Sequence, residues 1–569
     1  MRSRRLVVSA AAIVVAVVGF LPGTAQAADP SAPGAPRVAK LSDPKKAAAS
    51  TFRTFTSGAD KSVRKGAAGA AGAAGAAGVA AADAGATGNP GLKVALSATN
   101  TGAHSLQLEA DVTSADASLE VSISWGDGNG VDLLHASGST LLLPTHVYAE
   151  VGEYKITVGV NDVANKVYVE NALTVVTSGS EFTPHEPMRL LDTRDGFRAP
   201  KAKVAPYTGA RVKVGGYGLI PAGVQAVVLN VTVTNTTTSG HITVYDSGNR
   251  RPNSSNLNFE VGQTAANLVV VPVGEDGSVD LYNSSGAPVD LIADITGYFM
   301  QSASNGYTPM DPARFVDTRE GLGTVKGQVP GRTSFGTQIG GLRGVPQGVK
   351  AVALNVTVTG PKEAGHLIVY PSGGRIPLAS NVNFSAGQTV ANSVIVPVGP
   401  DGSINIRNNA WAGADVVVDV VGYYTPEGQG AFMPLSPMRW LDTRDPEGAI
   451  SQAYGPIAGR GYLAVPFFRG DDAVTAYVLN ATVTNTAGAG FLSVAPDPNS
   501  VEQYDNGTAL PPTRPSASTL NWTKGKTVPN LVQATAGRGS IVDFWNQGWE
   551  QADLVVDIFG YYEKPANHQ

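Results

Sequence analysis

Three copies of one polar constellation carry the most obvious chemistry in the chain: Arg189, Asp192 and Arg194, then Arg314, Asp317 and Arg319, then Arg439, Asp442 and Arg444. Guanidinium and carboxylate groups this close can tie a loop to a strand end as a charge-assisted pair, or they can present charge to a ligand or reacting group. An enzyme seldom needs three identical active sites in tandem, whereas a fold needs its corners in every copy. The pattern therefore predicts a structural repeat motif, with ligand binding and catalysis as the lesser readings.

Aromatic residues give the second signal. Five of the six Trp lie in the second and third copies. A predicted hairpin reads Leu281-Tyr282-Asn283-Ser284-Ser285-Gly286 in the first copy. Its counterparts are Ile406-Arg407-Asn408-Asn409-Ala410-Trp411 and Phe544-Trp545-Asn546-Gln547-Gly548-Trp549. Turn residues place Trp411 and Trp549 near a tip, where a large ring is exposed unless something covers it. A flat ring flanked by amides suits a sugar, whose CH face stacks on the ring while its hydroxyls bond to the amides. Trp411, Trp545, Asn546 and Trp549 are the candidate ligand-binding residues; the competing expectation is packing against a neighbouring copy.

Other chemistries find little support. The chain has no Cys and seven His. That removes disulfides, thiolate metal sites and Cys nucleophiles. His241 and His366 are equivalent positions, but the third copy has Phe491, so a general base there is not expected. No Ser sits in a nucleophile elbow and no His pair has zinc spacing. Neither a catalytic residue, a cofactor nor a metal is expected; calcium at Asp127 and Asp132 competes with the commoner role of such aspartates, capping their own turn. Paired acids for glycoside hydrolysis meet only in the fold and stay open.

These residues sit on a β-rich scaffold. The Arg-x-x-Asp-Thr-Arg motif recurs at steps of 125 residues, as does the strand Val227 to Thr234 around Asn355 and Asn480. The closing motif Asp294 to Phe299 recurs at Asp419 to Tyr424 and Asp557 to Tyr562. The last interval is 138, which places a 13-residue insertion in the third copy, at the Pro-rich run of about 496–515. Alternation of period two marks strands, and Asp276-Gly277 and Asp401-Gly402 mark hairpin turns. The prediction is all-β: an immunoglobulin-like sandwich at 93–178, then β-sandwich or barrel repeats at 179–300, 301–425 and 426–562. Whether the repeats string out or pack around a pseudo-threefold axis stays open, and Asn230, Asn267 and their copies are expected to bond to backbone inside the sheet.

The N-terminal region reads as an address. Arg2, Arg4 and Arg5 precede an apolar run from Leu6 to Leu21, and Ala25-Gln26-Ala27 offers a cleavage site, so 1–27 is read as a signal peptide. Residues 28–92 read as an Ala/Gly-rich flexible linker with net charge +4. Residues 93–569 carry 30 Lys/Arg against 42 Asp/Glu, net −12, which argues against nucleic-acid binding. No later stretch reaches the ~18 apolar residues of a membrane span. The expected location is secreted or extracellular, with association to a cell wall as one form of it.

Two resemblances extend this reading. Trp125-Gly126-Asp127-Gly128, His146-Val147-Tyr148 and Gly152-Glu153-Tyr154-Lys155-Ile156-Thr157-Val158 resemble the polycystin-type (PKD) domain family, which implies a spacer or adhesion module with Trp125 in its core. Pro187 to Arg194, Ser255 to Phe259, Gly262 to Asn267 and Gly297-Tyr298-Phe299 resemble a secreted β-domain of actinobacterial and other bacterial surface proteins. That family has no established activity, and its usual company implies association with surfaces or polymers. The leading expectation is a non-catalytic surface or matrix protein that binds glycan or cell-wall polymer. The alternatives are an architectural stalk or scaffold contacting protein partners, and an extracellular hydrolase with an unrecognised site.

Overall fold

Burial along the strands distinguishes two kinds of β-structure. In Lys93–Asn100 every second residue is buried, as in a sheet with one covered face. In Ala226–Thr234 the first eight residues are all buried, so both faces of that strand are covered. The computed structural model describes residues 37–41, 52–66, 88–115, 117–468 and 472–566. They lie in one compact unit spanning 36–569. The predicted signal peptide and the Gly/Ala run after Gly66 fall outside the described residues.

The first module is a sandwich of two antiparallel sheets. One sheet contains Thr54–Ser57, Lys93–Asn100, Ser105–Thr113 and Thr140–Leu142, with Thr145–Val147 also paired to Ser105–Thr113. The other runs Val63–Gly66, Val167–Val176, Glu153–Asp162, Ser118–Ser124 and Val131–Ser137. Trp125 and Tyr148 lie in the core between them, and Tyr148 stacks on Tyr154 at 3.8 Å.

The flexible-linker expectation for 28–92 is corrected in two places. Thr54–Ser57 and Val63–Gly66 are edge strands of the first module. Lys40–Leu41 pairs with Ser451–Gln452 of the third repeat, and Arg37 Nη1 donates to Pro456 O at 2.8 Å. An edge strand needs hydrogen bonds on one side only, so short polar segments suffice and give little hydrophobic signal.

Each repeat is a two-sheet sandwich. In the first, the inner sheet runs Glu181–Asp192, Asp290–Met300, Ala226–Thr234, Ala265–Pro272. The outer sheet runs Gly209–Lys213, Ser278–Asn283, Gly240–Asp246, Leu257–Phe259. The second and third repeats reproduce this order. Val227, Leu229, Val231 and Val233 fill the repeat's own core. Ala226 and Val228 face the opposite way, into a shared core with Ala351, Ala353, Ala476 and Val478 of the other repeats.

That shared core sets the arrangement. Phe182 of the first repeat packs on Tyr424 of the second at 4.4 Å, Tyr307 of the second on Tyr562 of the third at 4.2 Å, and Phe432 of the third on Phe299 of the first at 4.6 Å. The contacts close a ring, so the repeats surround a pseudo-threefold axis. The glycine of the closing motif makes this possible: a Cβ at Gly297 would lie 2.1 Å from Phe182, and one at Gly422 would lie 2.2 Å from the Tyr307 hydroxyl. The first module joins this end of the body through Gln301 Nε2, which donates to Thr177 O at 2.9 Å, and through Glu563 Oε1, which accepts from Ala103 N at 2.9 Å.

The insertion in the third repeat is more than a surface loop. Ser500 and Gln503 form a capping box that starts a short helix, Val501–Asp505. The segment then runs back over the outer sheet, where Arg514 sits 5.1 Å from the Trp545 ring and Gln547 Nε2 donates to Pro515 O at 2.9 Å.

Candidate functional site

The repeated Arg and Asp residues come together at one corner of each repeat. A β-bulge between Arg189 and Leu191, repeated in both other copies, re-aims the arginine along the sheet. Arg189 Nε lies 2.9 Å from Asp294 Oδ1 and its Nη1 lies 2.7 Å from Asp192 Oδ2. Arg194 grips Asp192 at 2.9 and 2.7 Å. Arg314 pairs with Asp419 at 2.9 Å and with Asp317 at 3.4 Å, and Arg319 grips Asp317 at 2.9 and 2.6 Å. Arg439 pairs with Asp557 and Asp442, both at 2.6 Å, and Arg444 grips Asp442 at 2.8 and 2.7 Å.

Every carboxylate of these corners is buried. Burial alone would raise Asp192 and Asp442, but the bonds from Arg194 and Arg444 outweigh it and hold both below the usual carboxylate range. At Asp557 burial prevails over Arg439 and pushes the group up to about 6. Arg189 Nη2 also donates to Leu378 O at 3.0 Å, and Arg439 Nη2 to Asn253 O at 3.1 Å. The corners thus tie each strand end to its loop, and two of them reach the next repeat.

The repeated asparagines act between repeats as well as within them. Asn230 Nδ2 donates to Ser380 O at 2.7 Å, Asn480 Nδ2 to Ser255 O at 2.5 Å, and Asn355 Nδ2 to Ser518 O. First bonds to second, second to third and third to first. The expectation that they bond inside their own sheet is corrected: their partners are backbone, but across the interface. Asn267 and its copies do both, and Asn530 Oδ1, for example, accepts from Ser393 N of the second repeat at 3.0 Å.

The aromatic candidates divide. Trp411 is 77% exposed and Trp549 is 81% exposed, and neither packs on a neighbouring repeat as the competing expectation had it. The Arg332 guanidinium lies over one face of Trp411 at 4.3 Å, and Arg460 lies over Trp549 at 5.2 Å. Glu363 Oε1 accepts the backbone N–H groups of Trp411 and Ala412, which fixes the tip. Trp545 and Asn546 are corrected. Trp545 is buried against Tyr462, 4.5 Å away, beneath the insertion. Asn546 is buried because its amide closes the hairpin, donating to Ile457 O at 3.0 Å and Glu550 O at 2.8 Å.

The carboxylate pair that sequence reasoning did not single out is Asp497 and Asp543. Both are buried under the insertion. Burial, then the Asp497 carboxyl, pushes Asp543 up to about 9. Tyr504 Oη donates to Asp497 Oδ2. Such a pair has acid–base potential, but the insertion seals it from solvent, so no substrate reaches it in this structure. In the first module, Asp132 accepts from Trp125 Nε1 at 2.7 Å, while Asp127 bonds to His146 at 2.8 Å and to Asn129 N at 3.1 Å. Those carboxylates hold the turn after Ser118–Ser124 to Trp125 and to His146 of the same module. Among the described residues no cluster of three or more His, Asp or Glu could hold a metal ion, and no helix is long and apolar enough to cross a membrane.

No family model matches the chain, and no curated protein matches it. Solved structures give remote likenesses. One is a carbohydrate-binding module of the β-sandwich superfamily, 9% identical over 34% of this chain and 86% of its own, with a TM-score of 0.12. Two come from archaeal viruses. One, from the Sulfolobus turreted icosahedral virus, is 9% identical over 69% of this chain and 93% of its own, with a TM-score of 0.14. The other, described as a triple jelly-roll fold, is 8% identical over 68% and 90%, with a TM-score of 0.14. Likenesses this remote carry no argument about what the chain does.

Proposed function

We propose that this is an exported, non-catalytic binding protein of the cell exterior whose three-repeat body attaches to a surface polysaccharide. The observation that carries the reading is the exposure of Trp411 and Trp549, each on a rigid hairpin tip with an arginine over one face. The repeated Arg, Asp and Asn residues are accounted for by the corners and interfaces. The two indoles are not: they fill no core, and an exposed ring of this size is the group a sugar face stacks on. The signal-peptide pattern supports export. The PKD-type pattern of the first module supports a spacer that holds the body away from whatever follows or precedes it.

The scaffold reading has its own support in the shared aromatic core, which makes three repeats into one rigid block. The two separate in one experiment. The full chain is mixed with insoluble peptidoglycan, chitin and cellulose, alongside a Trp411→Ala/Trp549→Ala double variant. Retention on one polymer that the double variant loses supports glycan attachment. Failure of the unaltered chain to bind any of the three moves the function to a scaffold with protein partners.

A further inference from the structure

The first repeat lacks a tryptophan at the hairpin tip, because Gly286 stands where the others have Trp411 and Trp549. Its corner is not bare. Tyr207 occupies the position that Arg332 and Arg460 hold in the other repeats, since Thr208 O, Thr333 O and Gly461 O accept equivalent bonds from Asn283 N, Asn408 N and Asn546 N. The backbone is the same in all three: Tyr207, Arg332 and Arg460 have φ of 55°, 62° and 61°. Left-handed geometry is uncommon for bulky residues and marks a spot held by its surroundings. A Cβ on Gly286 would lie 3.7 Å from the Tyr207 hydroxyl, so the tyrosine borders the tip. Tyr207 is 64% exposed.

The first repeat thus supplies its aromatic ring from the opposite side of the same corner, and the three exposed rings lie at equivalent corners about the pseudo-threefold axis, Tyr207 from the position that holds Arg332 and Arg460 in the other two. The hairpin tips lie at the start of Asp290–Met300 and its copies, and the aromatic core at the far end of those strands. The array therefore sits away from the attachment of the first module.

We propose that Tyr207, Trp411 and Trp549 form a trivalent site for one repetitive polysaccharide, each ring stacking on a separate sugar of the same chain or of neighbouring chains. This rests on the glycan reading above and adds a third contact residue and a valency. The surroundings favour sugar over a protein partner. The rings are isolated among Arg332, Glu363, Asn409 and Arg460, and a protein interface calls for a contiguous apolar patch. Three equivalent, rigidly spaced platforms match a ligand that repeats. Each platform alone is weak, and linkage through one body turns weak sites into firm attachment.

The test uses binding isotherms of the full chain on insoluble peptidoglycan, chitin and cellulose, with Tyr207→Ala, Trp411→Ala and Trp549→Ala made singly and together. These side chains are exposed, so thermal unfolding of every variant should match the parent. On the polymer that binds, each single variant is expected to lose roughly tenfold or more in apparent affinity, Tyr207→Ala as much as the others, and the triple variant all retention. Parental binding by Tyr207→Ala, with loss in the two Trp variants, overturns trivalency and leaves the glycan reading standing. Binding by the triple variant overturns the aromatic site altogether. No binding of the parent to any polymer overturns the glycan reading, and this inference with it.

Discussion

Tyr424 Oη and Tyr562 Oη lie 2.7 Å apart where the three repeats meet, and Gln533 Nε2 donates to both, at 2.7 and 2.8 Å. The first repeat has Phe299 at the equivalent position. The axis is therefore threefold in packing but not in chemistry: two hydroxyls and the amide N–H group of Gln533 bond to each other inside an otherwise apolar cluster, while Gln533 Oε1 is buried without a partner. A buried polar network of this kind favours one order of repeats over any permuted assembly, because misplacing a hydroxyl leaves a buried group unpaired.

The aromatic ring depends on the closing-motif glycine. Gly297→Ala puts a methyl group 2.1 Å from the buried Phe182 ring. The ring is held by Tyr424 and Phe299, so it has nowhere to retreat. Overpacking of this severity is expected to cost roughly 3 kcal/mol or more. Gly286→Ala, where the nearest atom is 3.7 Å away, should unfold at the parental temperature. Calorimetry of the two variants checks this; equal melting temperatures would argue against a glycine required by close approach.

The corners make a second prediction. Arg189→Met removes the arginine partner of the buried Asp294, one of the two arginines on Asp192, and one bond to the next repeat. Breaking a buried pair from one side costs roughly 3–5 kcal/mol, because the remaining charge stays buried. Urea unfolding should show that loss. If the corner instead serves a ligand, the variant keeps its stability and loses binding.

Tryptophans separate by location. Trp411→Ala and Trp549→Ala should change stability by no more than about 0.5 kcal/mol, as exposed substitutions do. Trp440 is buried, stacks on Phe467 at 5.0 Å and donates to Pro466 O at 3.1 Å. Trp440→Ala should cost roughly 3–5 kcal/mol. Chemical denaturation of the three variants checks both halves.

The sequence shows part of this and conceals the rest for physical reasons. Strand positions, the repeat period and the insertion follow from alternation and spacing, which are local. The pseudo-threefold core does not: Val228 reads as one residue of a mixed face with Asn230 and Thr232, and only packing shows that this face meets two other repeats. Gly297 reads as a motif residue, but its reason lies in Phe182, on the neighbouring strand. Trp545 and Trp549 look alike on paper because the insertion that covers one of them folds back from far along the chain. Tyr207 is missed because it lies 79 residues before Gly286, and only the equivalence of left-handed positions brings the two together. The strands at 54–57 and 63–66 carry one large apolar residue each, too little for a period to show.

The last prediction concerns pH. Asp543 is buried beside Asp497, and burial followed by that second carboxyl pushes it up to about 9. Among the described residues no basic side chain bonds to or pairs with either acid; Tyr504 and Asn499 bond to Asp497, and Trp545 adjoins Asp543. In the unfolded chain an aspartate titrates near ~3.9. Between those pH values the folded chain keeps a proton that the unfolded chain has released. Folding stability supplied by this group is therefore complete below about pH 4, and falls as pH rises, until the folded group itself ionises near 9. The slope is about 1.4 kcal/mol per pH unit at most. Asp543→Asn keeps the shape, offers its amide to Asp497 in place of the shared proton, and cannot ionise. Melting curves from pH 4 to 9 should show the variant matching the parent at the acid end and exceeding it increasingly toward the alkaline end. Parallel curves across the range would mean that Asp543 titrates as an ordinary carboxylate. A widening gap, with earlier proteolytic cutting of the parent near Tyr504 at high pH, would show that the shared proton holds the insertion against the outer sheet.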